Sequence, residues 1–165
     1  MSATARLSLP FIAPGQAQKE LFHNEALQVL DVLVAGAVEG LPLAGPPASP
    51  TIGNCYIIAG SPTGIWVGHA QQLAAYTSGG WRFVAPRDGM SVYVVSSGKI
   101  AVYHGGAWEV GTLNGSQLVV DGLKVVGSRA LAIVAPAGGT TIDSEARTAI
   151  GLILATMRQH GLIEM

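Results

Sequence analysis

The chain has one cysteine, few charges and few aromatics, and no apolar run that would cross a bilayer. Each shortage excludes something. A single Cys55 cannot make an internal disulfide or a thiolate zinc site, and inside an apolar run it is expected to be a buried, inert thiol. A membrane helix would need about 18 or more consecutive apolar residues, so insertion into a membrane is not expected. Charged residues are 12% of the chain, about half the usual share. The formal net charge is −1 and no basic stripe is present, which argues against nucleic acid as a partner. Near the start Arg6 is the only basic residue, and Pro10 and Pro14 break the apolar stretch around it. No secretory core is evident there, so synthesis in the cytoplasm without a signal peptide is expected.

What the chain does have is hydrophobic residues, 49% of the total, and 22 glycines. At 165 residues it is long enough for one domain with a small appendage. So few charges on so apolar a chain fit a protein that hides much of its surface in an oligomer or larger assembly.

One short phrase occurs twice. Tyr76-Thr77-Ser78-Gly79-Gly80-Trp81 returns as Tyr103-His104-Gly105-Gly106-Ala107-Trp108, each copy after a short apolar run. Both copies read as strand, glycine turn, aromatic strand. A related phrase opens each one, Pro50-Thr51-Ile52-Gly53 and Pro86-Arg87-Asp88-Gly89. No acid, base or nucleophile is repeated with the aromatics, so the duplication points to a binding scaffold.

Around it the hydrophobic period changes. Residues 16 to about 38 are helical in pattern, with Phe22, Ala26, Val29 and Leu33 on one face and Leu27, Leu30 and Val34 on the next. Residues 41–50 are Pro-rich and read as an extended linker. Strands are expected over 54–58, 64–67, 72–76, 81–85, 91–95, 99–103, 107–110, 117–120 and 123–126. Ser96-Ser97-Gly98 and Asp121-Gly122 serve as hairpin turns. A last helix is expected to start with Thr140 as N-cap and Asp143 at the third position, run to about His160, and end at Gly161. Ile142, Ala146, Ala149, Ile153 and Thr156 fall at spacings of three and four along it, as do Ile150, Leu154 and Met157, a broad, small-residue stripe suited to close packing around a symmetry axis. The expected fold class is therefore α+β: an N-terminal segment and helix (1–40), a linker (41–50), a small antiparallel sandwich or barrel-like β domain with a duplicated unit (51–126), and a loop with a C-terminal helix (127–165).

The candidate binding residues are aromatic. Trp66, Trp81, Trp108, Tyr76 and Tyr103 offer rings on which a pyranose face could pack, with His69 and His104 beside them to bond hydroxyls. The competing reading is that these rings are the β core; the three tryptophans, being next to turns, are the best candidates for exposure. The histidines show no His-x-His or His-x-x-x-His spacing, so no metal and no cofactor is expected. Glycoside hydrolysis needs two carboxylates about 5–10 Å apart, and the β region offers only Asp88, Glu109 and Asp121; Asp88 stands in a turn where an Asp is at home. No Gly-x-Ser-x-Gly nucleophile motif occurs. An enzyme is not expected. The polar opening of the first helix, with Gln16, Gln18, Lys19, His23 and Asn24, reads either as a docking surface or as an ordinary solvated turn. Leu27 and Leu30 on the first helix and Ile150, Ile153 and Met157 on the last are the candidate oligomerisation residues.

Several stretches together resemble a family. Leu9-Pro10-Phe11-Ile12-Ala13-Pro14-Gly15-Gln16-Ala17-Gln18-Lys19-Glu20 with His23-Asn24-Glu25-Ala26-Leu27 looks like the start of a domain family of tail-fibre-like proteins in bacterial prophages and gene transfer agents. The resemblance continues through Pro47-Ala48-Ser49-Pro50, Trp66-Val67-Gly68-His69-Ala70, Gly80-Trp81-Arg82-Phe83-Val84-Ala85-Pro86-Arg87-Asp88-Gly89 and the second aromatic phrase. It closes with Asp143-Ser144-Glu145-Ala146-Arg147 and His160-Gly161-Leu162-Ile163. The resemblance implies a place on a virion or phage-like particle, a homotrimer, other tail or spike proteins as neighbours, and host surface polysaccharide as the target. It carries no catalytic motif. A connector without a ligand of its own, and a polysaccharide-degrading enzyme with its site between chains, are the alternatives.

Overall fold

A computed structural model describes residues 3–12, 15, 19–141 and 143–164. Gln16, Gln18 and Ile142, and the side chain of Lys19, lie outside the described residues. The protein is α+β, with a helix towards each end and several antiparallel sheets between them. None of the sheets among the described residues closes into a barrel. The chain divides into two compact units, one ending at Thr112 and the other beginning at Leu113.

The first unit starts with a strap, residues 3–12, pinned to helix α1 (Lys19–Ala35). The buried Asp31 carboxylate accepts from Thr4 Oγ1 (2.7 Å), the Leu7 amide (2.6 Å) and the Arg6 amide (3.0 Å). A buried carboxylate is tolerable only with such partners. Asn24 clamps the far end, accepting from the Ile12 amide and donating to its carbonyl.

The helical pattern predicts continuation to Val38, but α1 ends at Ala35. Gly36, at φ 45°, takes the left-handed turn that terminates a helix cheaply. Ala37–Val38 then form β1, paired in parallel with β5 (Ser91–Val94). The Pro-rich stretch runs along β2 (Cys55–Ile57): the Leu43 amide donates to Ile57 and its carbonyl accepts from Ala59. Prolines, which lack the donor, are suited to covering such an edge.

Two three-stranded antiparallel meanders follow. The first is β2, β3 (Leu73–Thr77) and β4 (Gly80–Val84); the second is β5, β6 (Lys99–His104) and β7 (Ala107–Val110). Their backbones match bond for bond. The Gly53 amide donates to Tyr76 and the Gly89 amide to Tyr103. Asn54 donates to Thr51 as Met90 does to Arg87, and Tyr76 donates to Asn54 as Tyr103 does to Met90. Gly53 and Gly89 stand at φ 96° and 87°, so each opening phrase needs its glycine. Tyr76 faces Trp81 across its hairpin, and Tyr103 faces Trp108 across its own.

The two meanders pack through one core. Cys55, Ile57, Leu73 and Ala75 of the first meet Val92, Val94 and Ala101 of the second, joined by Val38 of β1 and Val32 of α1. Each buried Leu, Ile or Val contributes about 1.5–3 kcal/mol. Matched by register, these are different faces of the repeated unit. Ala101, equivalent to Ala74, points into the shared core, whereas Ala74 belongs to a second cluster with Tyr56, Ile58 and Trp66. The meanders are therefore stacked in the same sense, back to front, and not face to face.

The strand expected over 64–67 is instead a 3-10 turn, Gly64–Trp66. Gly64 has φ 60°, and the amides of Trp66, Val67 and His69 each bond three residues back. This winding drives Trp66 beneath the sheet.

In the second unit β8 (Leu118–Val120) and β9 (Leu123–Val126) form a hairpin. Asp121 and Gly122, both at positive φ (50° and 77°), make its tight turn. Helix α2 spans Ser144–Gln159 and is capped by Asp143, whose side chain accepts from the Ala146 amide at 2.8 Å. Thr140 is thus not the cap. A carboxylate at this position also favours the positive end of the helix, which a hydroxyl cannot match. Gly161, at φ 69°, ends α2 with the Leu162 amide on Met157 and its own on Arg158, the paired bonds of a left-handed C-terminal cap. The chain then pairs at Ile163 with Ala130.

Candidate functional site

The outer face of the first meander carries an aromatic layer. Trp66 lies at its bottom with no exposed surface. The Trp81 ring meets it edge-on at 5.2 Å and 85°. Tyr56 sits 6.1 Å from Trp66 and 5.9 Å from Trp81, and Tyr76 4.9 Å from Trp81. These are the tilted and T-shaped geometries that ring quadrupoles favour. Next to them the His69 imidazole stacks on Phe83 at 3.7 Å and 10°, its Nδ1 held by Gln72 Oε1 at 3.1 Å. Trp81, Tyr76, Phe83 and His69 are half-buried.

Trp66 does not fit its expected role. Wholly buried, it cannot present a face to a sugar, and it belongs to the core that supports Trp81. Nor do the seven candidate residues form one surface. Tyr103 and Trp108, 5.4 Å apart at 63°, are on the side of the second meander that faces the shared core. Trp108 packs against that core and donates from Nε1 to the Gln71 carbonyl at 2.8 Å. His104 is exposed beside Asp88, with Nδ1 3.8 Å from its carboxylate. The structure thus gathers Tyr76, Trp81 and His69 and sets Tyr103, Trp108 and His104 apart. Phe83 joins the first group without having been expected. The alternation of Trp81 and Phe83 along β4 could have signalled it.

The candidate docking residues divide in the same way. Asn24 is engaged by the strap, Leu27 is half-buried, and His23 and Leu30 are exposed on α1. On α2, Ile150 and Ile153 are exposed and Met157 is half-buried. Sequence reading missed the tie between α1 and β4. Arg82 grips Glu25 with two parallel bonds, Nε to Oε2 and Nη2 to Oε1, each 2.8 Å. The hydrogen bond from Arg82 holds the Glu25 carboxyl below its ordinary value, and Glu25 raises Arg82 in turn.

Cys55 is buried, and burial pushes its thiol up to about 11. Among the described residues no three His, Cys, Asp or Glu side chains converge as a metal site requires, and no helix is long and apolar enough to cross a membrane. The half-buried aromatic rim has the chemistry to pack against a flat, partly apolar ligand, with His69 at its border.

Residues 23–109, slightly more than half of the chain, match the model of a family described as "Protein of unknown function (DUF2793)". That span starts in α1 and ends in β7, so it takes in both meanders. No curated protein matches the chain.

Proposed function

The chain belongs to the family described as "Protein of unknown function (DUF2793)", and we propose that it acts there as a structural and adhesive component of a phage-like tail fibre or spike. In this reading it is a homotrimer on a virion or phage-like particle, and its first unit contacts host surface polysaccharide. The half-buried Trp81 and Tyr76 pair, backed by Trp66 and bordered by His69 and Phe83, supports the reading most directly. Rigid rings held in place by a core contribute contact area at little entropic cost.

Binding to a panel of bacterial surface polysaccharides, with the products checked for cleavage, tests it. Saturable binding without cleavage is the expected result, and Trp81→Ala is expected to weaken it about tenfold, the loss of one stacked ring. Binding that is unchanged in Trp81→Ala would remove this rim as the site.

The exposed apolar residues of α1, Phe22 and Val34 among them, favour a second reading, a connector that binds another particle protein. It predicts no polysaccharide binding, and loss of particle attachment in Phe22→Asp.

A further inference from the structure

The aromatic face of the first meander also carries polar side chains. Along β3 the residues alternate between two faces: Leu73 and Ala75 belong to the shared core, Ala74 and Tyr76 to the aromatic face. Gln72 stands one residue before β3 and falls, by the same alternation, on the aromatic face. Its backbone is held on both sides. The Gln72 amide donates to the His69 carbonyl at 3.1 Å, and the Gln72 carbonyl accepts from the Ile58 amide at 2.9 Å. The neighbouring Gln71 carbonyl takes the Nε1 proton of Trp108.

The Gln72 side chain reaches back to His69. Its Oε1 is 3.1 Å from His69 Nδ1, and the imidazole lies flat on Phe83 at 3.7 Å and 10°. An amide oxygen only accepts, so Nδ1 carries the proton of the neutral imidazole and Nε2 keeps the lone pair. Nε2 itself has no partner in the protein. Among the described residues, the buried side-chain nitrogen and oxygen atoms without a partner are Arg6 Nη1, Glu20 Oε2 and Trp66 Nε1. His69 Nε2 is not one of them, so solvent reaches it.

We propose that Gln72 is a positioning residue that fixes this tautomer, so that the site presents an acceptor at His69 Nε2 and selects neutral, hydroxyl-rich saccharide over saccharide bearing carboxylates. The inference rests on the polysaccharide reading above and names its substrate class. A sugar hydroxyl donates to the Nε2 lone pair while the sugar ring packs on the neighbouring aromatics. An ionised carboxylate only accepts; set against the same lone pair it gives up water and gains no proton. The sheet supplies no compensating charge. Arg82 is the single charged residue of β2, β3 and β4. Its guanidinium is committed to Glu25 and to the carbonyls of Gly79 and Trp81. The stack on Phe83 and the bond to Gln72 hold the imidazole before any ligand arrives, so little freedom is lost on binding.

The first readout uses the full-length protein and needs no ligand. At about pH 8, where an ordinary imidazole is neutral, long-range nitrogen–proton NMR correlations are expected to show His69 protonated at Nδ1 and bare at Nε2. The signals are assigned by their loss in His69→Asn. In Gln72→Leu the proton is expected to move to Nε2, with the circular dichroism unchanged. The polysaccharide panel is then sorted into neutral and carboxylate-bearing members, with mannan and alginate added as probes of the two classes. Wild type is expected to favour the neutral class about tenfold or more. Gln72→Leu is expected to bind that class about fivefold more weakly, the loss of one well-placed hydrogen bond, and to discriminate less. If Gln72→Leu loses its circular dichroism signature, the wild-type tautomer and class preference decide. A proton on Nε2 in wild type, which needs the Gln72 amide turned round, overturns the inference alone. So does binding that favours the carboxylate class, or a neutral preference undiminished in folded Gln72→Leu. Wild type that binds no member of either class overturns the polysaccharide reading and the inference with it.

Discussion

The two meanders share a backbone and differ in what covers them. Ile57 and Leu73 of the first have no exposed surface; their equivalents in the second, Tyr93 and Ile100, are 45% and 44% exposed. On the aromatic face of the first, its own long loop, residues 58–72, packs Trp66 against Tyr56, Ile58 and Ala74. The second has only the short turn 95–98 in that place, and its aromatic face is covered by the first meander. Identical hydrogen bonds thus coexist with opposite burial. Strand pairing is settled by local spacing and glycine turns, whereas burial depends on which neighbour stacks on which face. The stack is closed at one end by Trp66 and left open at the other, at Tyr93 and Ile100.

The widest gap is expected between Trp66 and the exposed face. Trp66→Ala removes the floor of the aromatic layer and should cost about 3–5 kcal/mol in denaturant unfolding followed by circular dichroism. Leu73→Ala should cost about 2–5 kcal/mol and its equivalent Ile100→Ala about 1 kcal/mol or less. Equal losses at Leu73 and Ile100 would show that the second meander's outer face is covered after all.

Thiol chemistry separates the two meanders further. Cys55 and Ser91 are equivalent, the one buried and the other exposed. A thiol reagent is expected to label Ser91→Cys at once and leave Cys55 untouched until unfolding. The Cys55 thiol is raised from 9.0 to about 11, so the folded state holds its proton longer than the unfolded chain. Its contribution to stability is complete below pH 9 and is lost as pH rises towards 11. Cys55→Ser should flatten that alkaline decline.

The smallest effect concerns the pair Arg82 and Glu109, which occupy equivalent positions on β4 and β7. Arg82 is partly exposed where it meets Glu25, so the ion pair is expected to contribute about 0.5 kcal/mol or less. Glu25 is depressed in the folded state. Its share is present above the ordinary carboxyl value of 4.5 and disappears as pH falls through the lower folded value. Glu25→Gln should remove that acid-side dependence in unfolding curves measured from about pH 6 downward.

Much of this was legible in the residues. The doubled Tyr-to-Trp phrase located both hairpins, since alternation and glycine turns act over a few residues. Asp121-Gly122 and Gly161 marked a turn and a helix end for the same reason. Other features depended on distant partners. The Gly64 turn converts an apolar run that reads as a strand into a plug. Gly36 stops a helix whose period continues to Val38, because β5 offers Val38 a strand partner. Asp31 looks like an ordinary helical carboxylate until the strap supplies its donors.

The candidate site shows the same division. The residue types and the turns that carry them were readable, but exposure was not. Trp66 and Trp81 are both tryptophans beside turns, yet one is the floor of the layer and the other its surface. Residue order alone was enough for the duplicated meanders, their glycine turns and the amphipathic helices, because short-range spacing and backbone sterics produce them. It was not enough for the back-to-front stacking of the repeats, for Trp66 as core, or for the inward-facing Tyr103 and Trp108; these emerge only when the chain is folded. Burial is a property of two surfaces meeting, and the second surface lies elsewhere in the chain.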